Sequence, residues 1–161
     1  MKKTIALFSL ILSLGVNAQT KTATKPAANK SAKKTDASNV MLGTWTGDMV
    51  EKKLTIVIEK VDGDKIIGYN TLGKNKRPLK GTFIKGAWDV TCSIAFDATL
   101  KEPGDDKWDG VFTVKFVGDN TQGETDDGPV CKGDYKGVEG VGQWKSNNGK
   151  MTKDFTLTKS K

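Results

Sequence analysis

The chain has 161 residues, with 26 Lys and Arg, 19 Asp and Glu and no His, for a formal net charge of +7. The missing His removes the commonest general base and metal ligand, together with any Ser-His or Cys-His nucleophile pair. Its two Cys are too few for a structural zinc site.

Met1-Lys2-Lys3 is a short positive start, residues 4–16 are apolar and Leu-rich, and Val16-Asn17-Ala18 offers small or short residues for cleavage before Gln19. The pattern predicts a secretory signal peptide over 1–18, and therefore a periplasmic or secreted mature protein. The apolar run is too short to span about 30 Å of hydrocarbon comfortably, and no other stretch replaces it. No membrane span is expected after signal removal.

Residues 19–39 contain no aromatic residue and no Val, Leu, Ile or Met. Such a segment buries too little apolar surface to offset its chain entropy, so a flexible basic linker is expected. Of the 26 basic residues, two lie in the signal and five in the linker, which leaves 19; of the 19 acidic residues only Asp36 lies there, which leaves 18. The domain expected over 40–161 is therefore nearly neutral. Its one dense basic run, Lys74-Asn75-Lys76-Arg77, reads as a solvated turn, so no nucleic-acid partner is expected.

Within the domain, Gly43-Thr44-Trp45 heads a first strand. Residues 54–61 are β-branched and apolar, with Leu54, Ile56 and Ile58 on one face. Asp62-Gly63-Asp64 turns the chain into a strand over 65–72, and a strand over 79–85 follows Pro78. Residues 88–101 alternate most regularly: Trp88, Val90, Cys92, Ile94, Phe96, Ala98 and Leu100 face one way, and all but one of the intervening residues are polar. At about 3.3 Å per residue that strand would run roughly 46 Å, so a bend or bulge is expected in it. Residues 110–117 return with Phe112, Val114 and Phe116 inward, and 118–128 read as a polar loop. Strands are expected near 130–136 and 141–145, and 151–158 closes the chain with Phe155 and Leu157 on one face. No helical periodicity is visible. The fold class expected is all-β: an antiparallel up-and-down meander closing into a small barrel of about eight strands.

A Gly-x-aromatic pattern recurs as Gly43-Thr44-Trp45, Gly81-Thr82-Phe83, Gly110-Val111-Phe112 and Gly142-Gln143-Trp144, with Gly68-Tyr69 as a shortened relative. Glycine permits close backbone approach in a coiled strand, and an aromatic two residues on can cover the gap. These motifs resemble the calycins, and within them the avidin family more than the lipocalins. Gly43-Thr44-Trp45 is similar to the first-strand Gly-x-Trp of both. Leu79-Lys80-Gly81-Thr82-Phe83, Trp88-Asp89-Val90 and Trp108-Asp109-Gly110-Val111-Phe112 are similar to avidin motifs. The resemblance spans most of 43–157 and implies a ligand pocket at one barrel mouth. Two departures count against biotin: Gly47 stands where avidins carry Asn, and Asp154 is adjacent to Phe155, so the two must face opposite ways.

The expected ligand wall is Tyr69, Trp88, Trp108 and Phe112, with Trp108 favoured by the resemblance and Trp45 read as a barrel-floor plug. No catalytic residues, cofactor or metal are expected, since the carboxylates of 105–109 and 124–127 suit solvated turns. The function expected is non-catalytic binding of a small apolar or amphipathic ligand at a barrel mouth. The alternative is a protein-interaction or protease-inhibitor module that uses the barrel and its N-terminal tail on an exported protein partner. In an oxidising compartment Cys92 and Cys131 are expected to pair, although the inward position of Cys92 also suits a small buried hydrophobe.

Overall fold

Eight strands follow one another along the chain in this computed structural model, which describes residues 36–86, 92–105 and 107–161. They are β1 (Gly43–Met49), β2 (Lys52–Asp62), β3 (Lys65–Leu72), β4 (Asn75–Lys85), β5 (Ser93–Lys101), β6 (Gly110–Thr125), β7 (Gly128–Ser146) and β8 (Thr152–Lys159). Each pairs antiparallel with the next, and β1 also pairs with β8, so the meander is a closed barrel without a free edge along its wall. That is the architecture implied by the calycin resemblance.

Period-two patterning fixes which residues fill the interior. Leu54, Ile56 and Ile58 on β2, Ile94, Phe96, Ala98 and Leu100 on β5, and Phe112, Val114 and Phe116 on β6 are all buried. Phe155 and Leu157 complete the ring from β8. Full burial of each large side chain contributes about 1.5–3 kcal/mol, so this face drives the fold. Bulges interrupt β2 near Ile58 and β6 near Val117 and Asp119.

Three features differ from the sequence reading. First, β5 begins at Ser93, and Cys92 ahead of it has a φ of 60°, which turns the chain at the strand entrance. Trp88 and Val90 lie outside the described residues. Second, the strands expected at 130–136 and 141–145 are one long β7. The presumed polar loop is instead the outer half of β6 paired to it, through Thr121 with Lys132 and Gln122 with Cys131. Backbone pairing needs no apolar side chains, so this arm carries no alternation to read. Third, a short helix, α1 (Asp36–Met41), takes in residues expected in the linker.

Helix α1 and the indole of Trp45 close one end of the barrel. Val40 and Met41 are fully buried, and Trp45 Nε1 donates to the Met41 carbonyl at 2.9 Å. Lys159 Nζ donates to the carbonyls of Asn39 and Val40 at 2.9 and 2.7 Å, which supplies cationic partners to the helix C-terminus. Gly137 is required here: a Cβ would run into the Val40 carbonyl and the Trp45 ring. Trp45 is thus the floor plug expected of it.

The Cys92–Cys131 disulfide forms, with Cα atoms 5.4 Å apart. It joins the entrance of β5 to the outer arm of β7, and Asn120 N donates to the Cys92 carbonyl at 3.0 Å beside it. It lies at the α1 end of the barrel. Such a bond is compatible with an oxidising, exported location. The signal segment lies outside the described residues, and among the described residues no helix is long and apolar enough to cross a membrane.

Candidate functional site: the open barrel mouth

Strand direction places four turns at the end opposite α1: residues 50–51, 73–74, 102–109 and 147–151. Together they surround a cavity of about 450 Å³. That volume falls in the range usual for small-molecule sites, roughly 300–1,000 Å³. Met49, Leu72, Phe112, Trp144 and Met151 provide its apolar walls, and Trp108 stands at the rim.

A polar cluster sits among these walls. Glu102 follows the last residue of β5, where the chain leaves the barrel wall, and is only 8% exposed. Its Oε1 accepts from Asn70 Nδ2 at 2.9 Å. Its Oε2 accepts from the Gly110 backbone N–H at 2.8 Å and from Trp144 Nε1 at 3.0 Å. Burying a carboxylate is costly unless its oxygens are satisfied, and three N–H donors from β3, β6 and β7 do this. The carboxylate in turn holds the Trp144 indole in place along the cavity wall. Gly110 is the other glycine that the site requires, since a Cβ there would strike the Trp144 ring. The ring over Gly110 therefore comes from the neighbouring strand, not from Phe112 two residues on.

A second cluster fixes the rim. Asn70 and Arg77 are register partners on β3 and β4, so their side chains share a face. Arg77 Nη1 pairs with Asp109 Oδ1 and donates to the Trp108 carbonyl at 2.7 Å. These bonds anchor the 102–109 turn while Trp108 as a residue remains 56% exposed. Val50 lies on the opposite lip with a φ of 53°, an uncommon conformation for a β-branched residue. Lys52 and Lys153 also border the cavity, and neither has an ion pair among the described residues.

The residues expected in the ligand wall fall in different places. Trp108 and Phe112 both line the cavity. Tyr69 does not: its neighbours Gly68 and Asn70 are buried, and its own ring lies on the outer face under Lys76 Nζ, 3.5 Å from the ring centroid. Trp88 lies outside the described residues. Sequence reading missed Asn70, Glu102 and Trp144 as site residues. The parity of β3 was a usable signal for Asn70, because it falls in step with Ile66. Apolar residues on both faces, Ile67 and Tyr69 among them, obscured that parity.

Among the described residues no three His, Cys, Asp or Glu side chains converge as a metal site. A wider depression of about 870 Å³ runs over β4 to β8, bordered by Ile84, Lys115 and Val141. It is a feature of the outer wall, and among the described residues no buried polar group is directed into it.

Glu102→Gln tests the buried cluster. An amide replaces one charged acceptor oxygen with a donor, so it either meets the Gly110 and Trp144 donors or forces the Asn70 amide to turn over, and in both cases the charge-assisted bonds are lost. Stability is expected to fall by about 1–3 kcal/mol, read as a lower urea midpoint at unchanged m. An unchanged midpoint would show that Glu102 does not organise the cluster.

In comparisons with protein-family models, curated proteins and solved structures, the chain has no match. Fold and site geometry therefore carry the functional argument.

Proposed function

We propose that this protein is an exported, non-catalytic barrel that binds a small apolar or amphipathic ligand at its open mouth. The observation that carries the reading is the asymmetry of the barrel. One end is filled by α1 and Trp45, while the other holds a cavity of about 450 Å³ walled by aromatic and Met side chains around a polar cluster centred on Glu102. Few convergent polar groups in an apolar pocket is the general character of a ligand site. Kinship with the avidins rests on short sequence motifs alone, and Asn70 and Glu102 form the polar set at this mouth. Export rests on the signal pattern of 1–18, with which the disulfide is compatible. Residues 19–35 of the tail that motivated the interaction-module alternative lie outside the described residues, and the cavity at the mouth is what supports the ligand reading.

Intrinsic Trp fluorescence titrated against a panel of lipids, pigments and vitamins tests the proposal. At least one compound is expected to change the emission saturably at one site per chain, because Trp108 and Trp144 border the cavity. Absence of any saturable change across the panel would refute it.

A further inference from the structure

We infer that the inner end of the mouth cavity is a subsite for a hydrogen-bond donor, so that the ligand is an apolar, ring-bearing compound carrying a hydroxyl or N–H group. The inference rests on the mouth-binding reading and adds the chemistry of its ligand.

Asn70 carries the argument. Its side chain lines the cavity and its residue is 2% exposed. A carboxylate accepts hydrogen bonds and does not donate them, so the amide must turn Nδ2 toward Glu102 Oε1. The orientation of this amide is therefore decided by chemistry. Its Oδ1 is left facing away from Glu102, with no hydrogen-bond partner among the described residues. The atom is open to the cavity, not sealed in the wall; a ligand filling the cavity would bury it, and a buried amide oxygen without a partner is costly. Phe112 and Trp144 line the same cavity, as does Arg77, whose guanidinium is engaged by Asp109 and the Trp108 carbonyl. Glu102 strengthens the preference, since its own donors are all neutral N–H groups and its negative charge favours a donor nearby. Flat aromatic side chains around the acceptor favour a ring in the ligand.

A bound donor would complete Asn70 Oδ1, whereas an isosteric compound without one would leave it unpaired. A site built this way discriminates between the two mainly through the unpaired buried group. The probes are 2-naphthol and 2-methylnaphthalene, which are nearly isosteric and of which only the first carries an O–H donor. Isothermal titration of the full chain is expected to show 2-naphthol binding roughly ten- to a hundredfold tighter. Asn70→Leu is expected to bring the two affinities within about twofold. Asn70→Ser, which keeps a small polar group, is a second variant should the first fail to fold, and an intermediate ratio is expected from it. Equal affinity of both probes for the unaltered protein would overturn the donor subsite and leave the mouth reading intact. So would failure of both probes while other panel compounds still bind. Failure of every compound in the panel would overturn both.

Discussion

Trp45→Ala is expected to destabilise the protein by about 3–5 kcal/mol, the range for deleting a large aromatic from a packed core. Trp45 is fully buried, its ring lies 4.8 Å from that of Phe116, and its Nε1 donates to the Met41 carbonyl. Truncation leaves a cavity at the closed end and removes the surface on which α1 sits. A helix of six residues cannot persist on its own propensity, so α1 is expected to detach as well. Small domains are stable by only about 5–15 kcal/mol, so a loss of this size is a large share of the total. Urea unfolding followed by near-ultraviolet circular dichroism gives the change, and amide exchange in α1 reports its release. A cost below about 1 kcal/mol would mean that the ring is not the floor of the barrel.

Loss of the Cys92–Cys131 bond is the other large effect expected. The cysteines are 39 residues apart in sequence. On the chain-entropy model, opening a loop of that length costs roughly 4 kcal/mol. The Cys92→Ala/Cys131→Ala double variant should show it as a lower urea midpoint. Amide exchange should also accelerate first in the arm around Gln122 and Cys131, which the bond ties to the barrel wall. Thiol titration of denatured, unreduced protein is expected to find no free thiol; two per chain would contradict the structure.

The barrel was legible because its inward residues obey a local rule. Leu54, Ile56 and Ile58, or Phe112, Val114 and Phe116, reveal strand and face without knowledge of any partner. Helix α1 was not legible, because Asp36–Met41 is under two turns long and shows no period. It forms because Val40 and Met41 have a surface to cover and Lys159, far along the chain, partners its last carbonyls. The β6–β7 arm was hidden for a related reason. Its order comes from the backbone ladder and the disulfide, and neither leaves a hydrophobic signature.

The site was the least legible part. Trp108 and Phe112 could be picked as aromatics near a strand end, and both border the cavity. Glu102 looked like a polar residue ending a strand. Its burial depends on donors from Asn70, Gly110 and Trp144, which lie 32, 8 and 42 residues away in sequence. Satisfaction of that kind is a property of the closed barrel and cannot be inferred from any one strand. Tyr69 was misplaced by the converse error, since an aromatic beside glycine invites an inward reading although strand parity sends it outward.

The central claim is that ligand enters at the mouth bordered by Trp108 and Trp144, while the Trp45 end stays closed. Two-dimensional nitrogen–proton NMR of the indole N–H groups distinguishes these ends in one titration. With a compound that binds, the Trp108 and Trp144 resonances should shift saturably and that of Trp45, bonded to the Met41 carbonyl, should stay in place. A ligand that shifts Trp45 and leaves Trp108 and Trp144 unmoved would contradict the account.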